Sequence, residues 1–371
     1  MAAFDLVVVG AGIVGLAHAL AGTRRGLRVA VLERDARAGS ASVRNFGFVT
    51  VSGQDGGDTR RRALRSREVW AEVASQAAIE VHQRGAVIVA RRPAALAVLE
   101  EFSSSAMGAG CELWDAAATR SRMPRVNPAV RGALWSPHEL RVEARDALPK
   151  LARWLEDRHG VVFAWETIAH GVEGTTVRHA AGTLKADAVV IAPGAAIATF
   201  APGLARRLNL RHCKLQMMRL AAPGFRLPGV VMTDLSLVRY QGFASQPAAA
   251  RLAEDLRREC ERELANGVHL IVVQDADGSL VVGDSHHYGD APDPFASSAV
   301  DGLILAELHA LFDLPPQNVV ERWVGHYPVA DGRALLSESL APRVRLVSVT
   351  SGTGMSTAFA IGEETIAALF G

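Results

Sequence analysis

The chain has 371 residues, 49% hydrophobic and 21% charged, enough for two domains around substantial cores. Forty basic residues nearly cancel 39 acidic ones, so no net field points to nucleic acid or to an anionic membrane surface. The three cysteines, Cys111, Cys213 and Cys260, stand far apart without a CxxC, which argues against a zinc ribbon or a disulfide framework and suits a reducing cytoplasm.

The first elements are the most informative. Leu6 to Val9 form an apolar run of the kind a strand buried on both faces requires. Gly10, Gly12 and Gly15 follow in G-x-G-x-x-G spacing, and a helical pattern begins at Ile13 and Val14. A second apolar strand, "RVAVLE", closes at Glu33 and Arg34. Gly10 allows the tight turn, Gly12 the approach of backbone to a pyrophosphate, and Gly15 the close packing of helix on strand. Glu33 can accept hydrogen bonds from ribose hydroxyls, and its charge repels a 2′-phosphate. The unit implies a dinucleotide without separating FAD from NAD. The same stretch is apolar, but no basic residue precedes it, Asp5 stands at its edge and four glycines interrupt it, so neither a signal peptide nor a membrane span is expected.

Further along, "TRRRALRSR" (59–67) alternates arginine with apolar residues and reads as the wet face of a helix. Residues 85–115 read as strand, helix and strand, and 147–166 as helix and strand. "LKADAVVIAPGAAIATF" (184–200) is an apolar strand running out through Ala192 and Gly194. Residues 247–267 form a helical insert, and "HLIVVQDADGSLVVGD" is a hairpin turning at Asp277 and Gly278. The chain ends with a strand, a turn holding Gly352 and Gly354, and a helix.

The order of these blocks resembles the FAD-dependent amine and amino-acid oxidoreductases of the D-amino-acid oxidase, glycine oxidase and sarcosine oxidase superfamily, over essentially the whole chain. The resemblance implies α/β plus α+β architecture: a Rossmann-type FAD-binding domain with an antiparallel-sheet substrate domain. The FAD domain is expected over 1–80, 145–214 and 321–371, and the substrate domain over 81–144 and 215–320. Besides the glycine motif, Glu33 and Arg34, the family pattern places FAD against Ser42, Arg44, Asn45 and Gly47. It also places FAD against Ile168, against Ala192 and Gly194, and against Gly352, Gly354, Met355 and Ser356. The tryptophan block "WVGHYPVADGR" holds no cysteine, so FAD is expected to be non-covalent.

The segments "RNFGFV", "RHCKLQMMRL", "VRYQGFASQ" and "GDSHHYGD" are similar to a subgroup associated with bacterial phosphonate breakdown. That likeness implies oxidation of a small primary or secondary amine, an aminoethylphosphonate or its N-methyl derivative. Hydride would pass to flavin N5, and the imine would hydrolyse to phosphonoacetaldehyde and an amine. Molecular oxygen is the expected acceptor, giving hydrogen peroxide. The alternatives are a glycine- or sarcosine-type amino-acid oxidase, or a flavin dehydrogenase using another acceptor. The arginine that relatives use for a substrate carboxylate is replaced by Tyr327, and a lysine associated with oxygen use is replaced by Val281. The substrate pocket is expected to draw on His286, Tyr327, Tyr240, Gln216, Lys214 and Arg239, with no obligatory protein base. In extended backbone His286 and His287 face opposite ways, as do Arg239 and Tyr240, so only one of each pair is expected in the pocket. For the same reason no metal is expected at "GDSHHYGD".

Overall fold

The computed structural model describes residues 4–371, so the first three residues of the expected FAD domain lie outside the described residues. The strand Phe4–Val9 sits mid-sheet, parallel to Val29–Leu32 on one side and to Gly182–Ile191 on the other. Val344–Val349 continues the parallel order beyond Gly182–Ile191, and Val162–Ala164 continues it beyond Val29–Leu32. Both faces of these strands are covered, which is why their apolar runs do not alternate. Helices Ile13–Arg24 and Gly354–Phe370 pack on one face. A Cβ on Gly362 would come within 2.7 Å of the Ala17 carbonyl, so only glycine permits this close crossing. Asp58–Gln76 covers the second helix, and Arg61, Arg62 and Arg65 reach Glu363 and Glu364 at 2.8–2.9 Å. These arginines are the wet face expected from their spacing, and such exposed pairs stabilise little.

The second sheet has ten strands in a mixed, largely antiparallel order. Its interior alternates with period two. Ile88, Ile271 and Val273 face a core closed by Pro93–Ser104 and Ala249–Glu259. Val87, Val272 and Val282 face the opposite core against Ser298–Leu311. The hairpin turns at Gly278, with φ +88°. Sheet membership departs from the expected boundaries: Phe48–Val49 and Arg211–Lys214, expected in the FAD domain, pair in the second sheet. Val319–Val329, expected to reopen the FAD domain, pairs along the whole of Arg211–Leu220 in the second sheet. The chain re-enters the parallel sheet only at Leu335. Among the described residues no helix is long and apolar enough to cross a membrane.

A buried ion network ties three strands of the second sheet. Asp275 accepts from both Arg141 and Arg219, and Glu143 Oε2 receives the same two guanidinium groups at 3.1 and 3.3 Å. Burial opposes the Asp275 charge. The His82 hydrogen bond and the two arginines outweigh it and hold the carboxyl well below the usual range. Asp275→Ala would leave the Arg141 and Arg219 guanidinium groups sharing Glu143, with Glu321 beside Arg219 alone, and is expected to cost about 3–5 kcal/mol in urea unfolding at pH 7. A depressed folded pKa gives stability present above the unfolded carboxyl value near 4 and lost as pH falls below it. The gap between wild type and variant should therefore narrow as pH is lowered through 4.

Candidate active site

A cavity of about 590 Å³ lies between the two sheets, outside the carboxyl ends of the parallel strands. This is where open α/β sheets place ligands, and the volume falls among small-molecule and cofactor sites. One wall is the first βα turn. Gly10 has φ +104° and passes so near Ala192 that a Cβ would lie 2.4 Å from the carbonyl oxygen. A Cβ on Gly15 would lie 1.8 Å from the Gly10 carbonyl oxygen. These contacts seat the helix Ile13–Arg24 so that Gly12, Ile13 and Val14 meet the cavity. Ser42 Oγ accepts from Ile13 N at 3.0 Å, bringing the 40–45 turn over the helix start. Glu33 is buried at the end of its strand and accepts from Ala11 N at 2.8 Å and from Asp35 N at 3.1 Å.

A second helix N-terminus, at Gly354, opens on the same cavity. Ser42, Arg44, Asn45, Ala192, Gly194, Gly352, Met355 and Ser356 also line it. Met355 is fixed by Trp70 Nε1 on its carbonyl at 2.8 Å, and Ser356 Oγ accepts from Thr50 N at 3.0 Å. Six positions expected at the cofactor do not line the cavity: Gly10, Gly15, Glu33, Arg34, Gly47 and Ile168. Gly10 and Gly15 act through packing. Gly47, at φ +67°, passes so close to Val142 that a Cβ would sit 1.7 Å from its carbonyl oxygen, so this glycine serves a chain crossing. Ile168 is 51% exposed beside Thr167, whose amide bonds the Glu33 carbonyl, and Arg34 is exposed and paired with Asp35 and Ser40.

The far end of the cavity is built by the second sheet. Arg239, Tyr240, His286 and Tyr327 line it together with His269 and Asp284. Two expectations are corrected here. Lys214 and Gln216 point to the opposite face of their strand. Lys214 Nζ bonds Asp293 and the Phe295 carbonyl, and Gln216 bonds Ser297 and Asp301. Strand alternation presents Leu215 to the cavity instead. Arg239 and Tyr240 do not lie in extended chain: they sit between the short helices Asp234–Leu237 and Gln241–Ala244, and both reach the cavity.

His286 and His287 do diverge. His287 Nε2 meets Asn266 Oδ1 at 3.2 Å, whereas His286 Nδ1 meets the Gly267 carbonyl at 3.0 Å. His286 stacks on His269, with ring centroids 4.8 Å apart. Asp284 lies between them, Oδ1 3.3 Å from His269 Nε2 and Oδ2 3.7 Å from His286 Nε2. Sequence patterns place neither His269 nor Asp284 in the pocket. His269 had no motif to mark it. Asp284 lies beside the His286–His287 pair in sequence, but its backbone pairing with His269, which joins the two, is a tertiary event.

The charges in this pocket are strongly biased. Burial works against the Arg239 charge, but Tyr327, Tyr288 and Asp284 outweigh it and hold the guanidinium protonated. Burial pushes Asp284 up to about 7, with Arg239 opposing. Burial, then Arg239, drives His269 and His286 well below their ordinary value, so both are neutral. Ligating atoms of His269, Asp284 and His286 lie within 4.8 Å of one another. Two histidines and a carboxylate can suit a metal, but the Arg239 cation bears on all three and makes a divalent ion an ill-matched guest.

The FAD fit rests on the glycine cradle, two helix N-termini facing one cavity, and a buried acid closing the second strand. Anionic phosphates and an electron-rich ring edge match such termini. A family model described as FAD dependent oxidoreductase (DAO) matches residues 5–368. No curated protein matches the sequence. Solved structures share the fold. A glycine oxidase from Geobacillus kaustophilus is 20% identical, with 99% of this chain and 94% of that one covered and a TM-score of 0.77. An L-α-glycerophosphate oxidase from Mycoplasma pneumoniae with FAD bound is 16% identical, covers 99% and 94%, and has a TM-score of 0.78. An iminodiacetate oxidase from a Chelativorans species is 18% identical, covers 98% and 95%, and has a TM-score of 0.73. With the family match running through both sheets and the cavity between them, the chain belongs to the FAD-dependent oxidoreductases and takes FAD as its cofactor.

Proposed function

We propose that this oxidoreductase acts on a small amine carrying an anionic group, of the aminoethylphosphonate or N-methyl aminoethylphosphonate type, with oxygen as acceptor. The observation that carries the reading is the pairing, in one pocket, of a half-buried cation at Arg239 with a buried carboxylate at Asp284. Such a pocket matches the two ends of a zwitterion. The phosphonate part is supported by the likeness of the quoted segments to the phosphonate-associated subgroup. Tyr327, in place of the carboxylate-binding arginine of relatives, adds a hydroxyl donor near Arg239.

When bound, FAD supplies the two-electron acceptor. Gly12, Ile13, Ser42 and Gly354 would hold it through backbone amides and a hydroxyl, and Glu33 through its ribose. The helix starting at Gly354 would stabilise negative charge on the ring edge. Non-covalent binding is supported by Cys213. It is buried, faces Tyr327, and its thiol is pushed up to about 11 by burial, far from the thiolate that flavin attachment needs. Arg239 and Tyr327 would fix the anionic end, and His286 would border the amine.

The test is the purified protein itself. It should be yellow, and peroxide release should favour N-methyl aminoethylphosphonate or aminoethylphosphonate over glycine and sarcosine by about tenfold or more in kcat/KM. Preference for glycine or sarcosine would replace this reading with an amino-acid oxidase. Dye reduction without peroxide would make the enzyme a dehydrogenase.

A further inference from the structure

Asp284 is a buried carboxylate with one oxygen left without a donor. Its Oδ1 has no hydrogen-bond partner, and neither does His269 Nδ1. A carbonyl only accepts, so the Gly267 contact fixes the proton of neutral His286 at Nδ1. Nε2 of His286 then presents a lone pair to Asp284 and brings it no proton. The backbones of His269 and Asp284 pair in both directions, at 3.2 and 3.3 Å, which holds the carboxylate at the cavity wall. The titratable and charged groups facing it are Arg239 and Tyr240 from the 234–244 segment, His269, His286, and Cys213 from the adjoining strand. Only Arg239 is charged, and it fits the other end of a zwitterion. A buried acceptor of this kind calls for a ligand that brings its own N–H.

We propose that Asp284 is the proton acceptor for the substrate ammonium, with His269 and His286 as positioning residues that confine its carboxylate. This rests on the reading that the enzyme oxidises amines. An ammonium has no free electron pair on nitrogen, and loss of hydride from the neighbouring carbon needs one. The N–H bond breaks, an O–H bond forms on Asp284, and the electron pair stays on nitrogen. The proton passes to solvent when the product leaves. Burial has set this carboxyl near neutrality, where a general base works best.

The experiment compares wild-type and Asp284→Asn holoenzymes of equal FAD content across pH. In the variant, kcat/KM is expected to fall roughly tenfold to a hundredfold at pH 7 and to recover as pH approaches the pKa of the free amine. A loss that is the same at every pH, or no loss, would overturn the proposal. A second measurement needs no variant. At pH 8, substrate binding to the anaerobic, photoreduced wild-type enzyme is followed by calorimetry in buffers of different ionisation enthalpy. Transfer to Asp284 predicts almost no proton released to buffer, whereas release of a full proton would overturn it. Loss of activity on chelation, restored by a divalent metal, would also overturn it. A wild-type enzyme that oxidises no amine removes the functional reading as well. One that oxidises amines while the variant's profile runs parallel to its own removes only the role of Asp284.

Discussion

Alanine at position 15 is expected to leave the protein without FAD. The added Cβ would stand 1.8 Å from the Gly10 carbonyl oxygen and 2.9 Å from its carbon, both backbone atoms. Nothing flexible can yield there, because Gly10 is itself pressed against Ala192. The helix Ile13–Arg24 must back away from the sheet, taking its N-terminus out of the cavity. Overpacking of this kind costs about 1–3 kcal/mol and sometimes more, and the cofactor loses its phosphate seat in addition. Flavin absorbance after gel filtration should fall below a tenth of wild type. Gly12→Ala is the informative neighbour, since its Cβ meets only the Ser42 hydroxyl at 3.0 Å, which can rotate aside. Gly203→Ala, with nothing within 4 Å, is the control and should bind FAD normally. Stoichiometric FAD in the Gly15 variant would show that the helix seat does not govern cofactor retention.

The contrast between these glycines also shows what was legible in the sequence. The G-x-G-x-x-G run, the acid closing the second strand and the C-terminal turn are local patterns. Each maps onto a local structure, and Gly12 and the C-terminal turn line one cavity. Gly47 looked similar but serves a crossing with Val142, a partner 95 residues away that no local pattern reveals. The pocket beyond the flavin site was less legible. Alternation along Arg211–Leu220 was evident, but which face met the cavity depended on Ser298–Leu311 and the 290–297 loop covering the other. Arg239 and Tyr240 were separated by assuming extended chain, and the helical turns on either side reunite them. His269 was invisible because it acquires meaning only by pairing with Asp284 across the hairpin.

Arg239→Met is expected to lower kcat/KM for an amine bearing an anionic group about 10²–10³-fold, mostly through KM. The guanidinium is half-buried at the cavity, where a charged hydrogen bond is poorly replaced by water. Loss of a charged contact of this kind typically costs about 2–5 kcal/mol. Methionine keeps much of the volume while removing the charge and the Nη2 bond to the Tyr288 hydroxyl, 3.1 Å in length. An amine of the same length ending in a hydroxyl, which never used the cation, should lose far less. That difference separates recognition of the anion from general damage to the pocket. The pH profile supplies a second sign. Arg239 lowers the pKa of Asp284, so without it burial meets only the backbone hydrogen bond and the carboxyl moves further up. The acidic limb of kcat/KM should therefore shift to higher pH in the variant, because a protonated Asp284 cannot take the ammonium proton. His269 and His286, which Arg239 also holds down, would rise toward their ordinary value. Equal losses for both amines, with an unmoved acidic limb, would place the anion site elsewhere in the cavity, at Arg44 near the 40–45 turn.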